Sequence, residues 1–194
     1  MDLLYFIGQA GGKKKRKNEE KKKCEEIPVP VPRASCSNRY GTTAKKAASY
    51  VIWIVCSNGF VPDNAFTIDD DDSLGYPAYI GIVTLKRDVL PGMLLPEVGV
   101  VGVTPSGSLF TAKKEYKALT GKGFFWRAID TTKRDVPTFA VQAGKTRSKK
   151  KLYVGRTEIE DVKYVGMVHK KELIVRYKEQ VLRLTTFDIL CCFS

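Results

Sequence analysis

Leu152-Tyr153-Val154-Gly155-Arg156, followed by Val165-Gly166-Met167-Val168-His169, is the stretch that decides the fold. It is the second occurrence of a pattern. Upstream stand Tyr79-Ile80-Gly81 and Leu90-Pro91-Gly92-Met93. Other landmarks recur in the same order. Trp53, Val61-Pro62 and Ala65 are matched by Trp126, Val136-Pro137 and Ala140. Tyr116-x-x-Leu119 is matched by Phe187-x-x-Leu190. The offsets lie between 71 and 75 residues. Landmarks kept in order at a near-constant offset mean one unit of about 70–75 residues present twice.

Each unit reads as β. Residues 51–56, 78–85, 151–157 and 172–177 are rich in β-branched and aromatic side chains, which suit a pleated, half-buried surface. Gly59, Pro62, Gly75, Pro77, Pro91-Gly92, Pro96, Pro105 and Gly107 punctuate the strands as turns. Nothing in the body shows helical periodicity with caps. The expected fold is all-β: two tandem β-rich repeats sharing one core, with internal pseudo-two-fold symmetry. Trp53 and Trp126 would be its paired anchors, because an indole buries a large area. Repeat one spans about 48–119 and repeat two about 120–192 of a domain at 47–194, with Gly121-Lys122-Gly123 as the turn between them.

The chain has 194 residues, 43% of them hydrophobic, enough for a substantial core. No run approaches the roughly 18 apolar residues of a membrane-spanning helix. Collagen-like, coiled-coil and disulfide-framework classes fail on composition. The formal net charge is +12, and residues 1–50 hold 12 basic and 5 acidic side chains, or +7 of it. Residues 1–46 read as a basic disordered tail and a linker stiffened by Pro28, Pro30 and Pro32. The run Lys13-Lys14-Lys15-Arg16-Lys17 looks like a nuclear-import signal or a contact for an anionic partner, and a solvated tail is the plainer reading.

Residues 3–7 are apolar but too few for a signal-peptide core, and the positive charges follow them instead of preceding them. No signal peptide is expected. Five cysteines, no Cys-x-x-Cys pair and a single histidine cannot easily make a zinc site. The thiols read as reduced and the protein as intracellular and cytoplasmic. Cys191-Cys192-Phe193-Ser194 fits the loose prenylation pattern on Cys191, yet it also reads as the end of a buried strand.

With its landmarks assembled, the sequence resembles the DM-nine (DM9) repeat family. That family carries a Trp, a Val/Ile-Pro-x-x-Ala turn and an Ala-Gly loop. A Leu-Tyr-x-Gly-Arg strand, a Pro-Gly-Lys turn, a Val-x-Tyr strand and a closing Tyr-x-x-Leu follow. The second copy is the cleaner one, with Val136-Pro137-Thr138-Phe139-Ala140-Val141-Gln142-Ala143-Gly144 and Phe187-Asp188-Ile189-Leu190 beside the strands quoted above. The resemblance covers about residues 48–192 and implies a tandem-repeat β fold, often dimeric. It also implies mannose-type lectin activity in some members and a place in innate immune response.

In the lectin members an Asp after the Val/Ile-Pro-x-x-Ala turn and the Lys of Pro-Gly-Lys contact the sugar. Carried over, the Asp falls in the run at Asp69, Asp70, Asp71 and Asp72, best at Asp71, and in the second copy near Thr146. The Lys positions are Met93 and Met167. Arg156 of the Leu-Tyr-x-Gly-Arg strand completes the candidate carbohydrate contacts. Sugars are held by aimed hydrogen bonds to hydroxyls. Asp accepts and Lys donates, whereas Met offers only a weak acceptor. Losing a charged partner costs about 1.5–3 kcal/mol.

The four consecutive aspartates could attract Ca²⁺, but the EF-hand pattern is missing, so no metal is expected. Lys149, Lys150 and Lys151 end a second basic cluster at 145–151, a candidate for an anionic partner or an exposed hairpin loop. His169 has no nucleophile–base–orienter set around it. No Walker motif, Gly-x-Ser-x-Gly or Gly-x-Gly-x-x-Gly is present. The sequence therefore predicts a non-enzymatic carbohydrate-recognition protein without cofactors. The alternative is a degenerate repeat protein that no longer binds sugar and uses its basic tail on an acidic partner, membrane or nucleic acid.

Overall fold

The structure, a computed structural model, describes residues 26–28, 49–68 and 77–193. Every regular element among them is a β-strand, and every strand pairing is antiparallel. In chain order the strands begin with β1 (Glu26–Pro28), β2 (Tyr50–Cys56), β3 (Tyr79–Leu85), β4 (Asp88–Leu95) and β5 (Gly99–Val103). Next come β6 (Leu109–Ala112), β7 (Tyr116–Lys122), β8 (Phe124–Asp130), β9 (Gln142–Lys145) and β10 (Lys151–Ile159). The last four are β11 (Val162–His169), β12 (Glu172–Tyr177), β13 (Gln180–Leu184) and β14 (Thr186–Cys192).

They form one open sheet. Its main path runs β1-β2-β7-β3-β4-β9-β10-β11-β12-β13, with β5 on β4, β6 on β5, and β14 between β10 and β8. The pairings recur along the chain. Gly81 faces Gly92 across β3 and β4, and Gly155 faces Gly166 across β10 and β11. Trp53 faces Leu119, and Trp126 faces Leu190. Gly81 faces Ala118 where Gly155 faces Ile189. The two halves meet in the sheet at a single register pair, Val89 with Lys145, between β4 and β9.

The expected strands at 51–56, 78–85, 151–157 and 172–177 correspond to β2, β3, β10 and β12. Pro91-Gly92 and Gly166-Met167 are different. They are not turns but lie inside β4 and β11. The glycines serve a close approach. A Cβ on Gly92 would sit 2.4 Å from the Val101 carbonyl oxygen, and one on Gly166 would sit 2.1 Å from that of Ile174. Pro91 falls between the pairing of β4 with β9 at Val89 and with β5 from Met93 onward. A missing N–H there costs no ladder bond on that edge. Actual reversals use two-residue connections such as Glu160-Asp161 and Lys170-Lys171, all four at positive φ, the geometry that matches strand twist.

The core is common to both halves. One cluster joins Trp53, Ile80, Met93 and Leu119 to Val154, Tyr164, Val175 and Leu190. A second sets Leu152, Met167 and Ile174 among Ile54, Leu90, Leu94 and Tyr116. A third belongs to the second half, around Ile129, Leu173, Phe187 and Ile189. Each fully buried Leu or Ile contributes about 1.5–3 kcal/mol over an exposed one. Trp53 is buried and Trp126 half-buried against the same cluster. The strand β1 pairs with β2, setting Ile27 opposite Trp53, so backbone from the proline-rich segment extends the sheet. Lys13, Lys14, Lys15, Arg16 and Lys17 lie outside the described residues.

Candidate functional site

A cavity of about 310 Å³ opens where the halves join. Its lining is Trp53 of β2, Ile82 of β3, Val89 of β4, Lys117 of β7, and Gln142, Ala143, Gly144 and Lys145 of β9. Backbone geometry makes the place. Gly144 permits β9 to lie against β4, since a Cβ there would meet the Val89 carbonyl oxygen at 2.1 Å. The ladder between β9 and β10 slips by one residue, pairing Leu152 with Gly144 and Tyr153 with Gln142, so Ala143 is the extra residue. Such bulges bend a strand and re-aim its side chains. Trp53 and Ile82 are buried, Lys117 is half-buried, and Gln142 and Lys145 are exposed. The result is an apolar floor with an amide and two ammonium groups above it.

The matching place in the second half is filled. Arg156 pairs in register with Asp188 as Ile82 pairs with Lys117. Its guanidinium lies 4.5 Å from the Trp126 ring centre. Its Nε donates to Asp188 Oδ2 at 3.1 Å and its Nη1 to the Ile68 carbonyl oxygen at 2.8 Å. One planar, forked cation thus ties β10 to β14, β8 and the segment that leads into the acidic run. Arg156 is 18% exposed and its partner Asp188 37%.

The other sequence candidates divide. Asp69, Asp70 and Asp71 lie outside the described residues, directly after the buried Ile68. Met93 and Met167 are 7% and 1% exposed and pack in the core, and neither lines the cavity. A thioether is buried at little cost where an ammonium would need a partner. Thr146, aligned with the missing acid, is buried too, and its Oγ1 accepts from the Lys150 N–H at 3.1 Å.

That bond belongs to an ordered loop. Thr146 N–H donates to the Lys150 carbonyl at 2.9 Å, and Lys149 N–H to the Thr146 carbonyl at 2.8 Å. Arg147 N–H donates to Asp88 Oδ1 of β4. Lys149 and Lys150 are exposed on this loop, and Lys151 at the start of β10. His169 stands near. Burial first, then Lys170, Lys150 and Arg183, hold its pKa below the ordinary 6.5, with Glu172 opposing them. Cys191 is wholly buried in β14, and burial pushes its thiol up to about 11.

Residues 71–184, well over half of the chain, match the DM9 repeat. The chain belongs to the DM9 repeat family. Comparison with curated proteins gives no match. The DM9 landmarks are thereby placed. The Trp-to-Leu pairing, the glycine pair and the Leu-Tyr-x-Gly-Arg strand are framework, and the cavity lies where the first copy departs from that pattern. The sequence marked Trp53 as an anchor and Lys145 as the start of a basic cluster, and did not mark Ile82, Lys117 or Gln142 as site residues. Aligning the two copies carries the signal, because Ile82 stands against Arg156 and Lys117 against Asp188.

Proposed function

We propose that this DM9 protein is a non-enzymatic carbohydrate-recognition protein whose binding site is the cavity between its two repeats, copies of one unit related by a pseudo-two-fold axis. The recurrence of the glycine and tryptophan pairings supports that relation. The observation that carries the functional reading is the cavity's composition. The edge of the buried Trp53, with Ile82 and Val89, supplies a small apolar floor for a sugar ring, and Gln142 and two lysines supply polar groups around it. At about 310 Å³ it stands at the small end of ligand pockets and suits one sugar ring. Asp71 remains the candidate acceptor among the acidic residues. The biological setting on this reading is innate recognition of glycans.

The test is binding of the full-length chain to a glycan panel that includes mannose, at about 0.15 M salt to suppress binding by the tail. Saturable binding that weakens with Gln142→Ala supports the cavity, and a further loss with Asp71→Asn brings in the acidic run. No binding by folded protein rejects the reading.

A second reading has its own observation. The loop carrying Lys149 and Lys150 is held in place by hydrogen bonds to Thr146 and Asp88 and lies beside Lys170 and Arg183. A fixed basic patch of this kind fits an anionic macromolecular partner, with the amino-terminal tail adding charge. Binding of that kind would fall steeply as salt rises.

A further inference from the structure

Charge is arranged differently at the two matching places. In the second half the cation Arg156 is answered inside the protein by Asp188 at 3.1 Å. In the first half the apolar Ile82 takes the place of the cation, and a cation, Lys117, takes the place of the carboxylate. Lys117 is half-buried and borders the cavity. Lys145 borders it from β9. Neither makes an ion pair with a described residue, and no carboxylate is among the lining residues. A half-buried ammonium facing a small cavity with an apolar floor gains most from an anion brought by the ligand.

We infer that the cavity takes an acidic saccharide, whose ring lies against Trp53 and Ile82 and whose carboxylate or sulfate meets Lys117 and Lys145. This rests on the carbohydrate reading above and narrows its ligand class from a neutral hexose to a charged one. Among the described residues the second half offers no matching site, because the Arg156 guanidinium already occupies the face of Trp126.

The two tryptophans make the test direct. In full-length protein carrying Trp126→Phe, Trp53 is the sole indole and reports on the cavity. Glucuronate, mannose and inorganic sulfate are titrated separately at about 0.15 M salt while Trp53 emission is followed. The expected result is a saturable change with glucuronate, at least about tenfold tighter than with mannose or sulfate. Lys117→Met is expected to weaken glucuronate about tenfold or more, a larger factor than any loss for mannose, which lacks the anion. Lys145→Gln, at an exposed position that tolerates change, is the second variant and is expected to act in the same direction. Mannose binding as tightly as glucuronate, unchanged by both lysine variants, overturns the acidic-sugar assignment and keeps the carbohydrate reading. Sulfate binding as tightly as glucuronate overturns it as well, since the ring then contributes nothing. No response to either sugar from folded protein overturns the carbohydrate reading and this inference with it.

Discussion

Around Trp126 a guanidinium lies on the ring, anchored to a carboxylate and a backbone carbonyl. Around Trp53, at the matching register, the arginine is an isoleucine, the aspartate is a lysine and a cavity opens. The framework beneath is the same in both places: a tryptophan opposite a leucine and a glycine opposite a glycine. What differs is the pair of side chains set at the matching register, Arg156 with Asp188 against Ile82 with Lys117. One occurrence of a recurring position thus serves as a structural clamp while the other borders open space. The backbone cost of holding the position is already met by the sheet.

The shared framework should be the most sensitive part. Gly166→Val forces a side chain into the Ile174 carbonyl and should cost about 3 kcal/mol or more, with Gly92→Val behaving alike against Val101. Urea denaturation checks both, and a mild effect in one half would break the equivalence. Next in size is the clamp. Arg156→Met removes a charged hydrogen bond to Asp188 and leaves the Ile68 carbonyl unanswered, an expected loss of about 2–3 kcal/mol by the same assay. Arg156→Lys should recover only part of it, because an ammonium cannot fork to two acceptors while stacking on the indole. Arg156→Met should also leave Trp126 open to a soluble quencher, making the second half resemble the first.

The all-β class was legible because it rests on residue types. β-branched and aromatic runs mark strands, and the recurring tryptophan and glycine landmarks fall at matching strand pairings. The role of Gly92 and Gly166 was not legible, since a glycine that permits a close strand approach and one that reverses the chain look alike in one dimension. The burial of Met93 and Met167 was hidden for a related reason. Once Pro91-Gly92 is taken for a turn, the next residue is expected at the surface. The cavity depends on Gln142 and Lys145 lying beside Lys117 and Val89, a contact between halves that no local pattern encodes. The difference between Ile82 and Arg156 was visible in the letters, but it acquires meaning only when both are seen beside a tryptophan.

Two smaller effects sharpen the contrast between loops that carry charge and loops that do not. The segment from Thr104 to Ser108 folds like the one from Thr146 to Lys150, with the same threonine-to-backbone bonds. Gly107 takes the left-handed position in the first, at φ +95°, and Lys149 takes it in the second, at φ +62°. Lys149→Gly should therefore raise stability by about 0.5–1 kcal/mol in thermal unfolding, while weakening any binding to an anionic surface.

The smallest effect concerns His169, faced by Lys150, Lys170 and Arg183 with Glu172 opposing. Its pKa is depressed in the fold, so between that value and 6.5 the unfolded chain holds more protons. Stability should fall slightly as pH drops through this window and level off below it. His169→Gln should flatten that part of the Tm profile relative to the unaltered chain.

The common core has a consequence for synthesis. Trp53 and Leu190 belong to one buried cluster, and Leu152 and Met167 fill the space around Ile54 and Leu90. The first repeat leaves the ribosome with an apolar face that cannot close until most of the second has emerged. Closure of these clusters must then wait on translation, and until it is complete their apolar side chains stand open to wrong association.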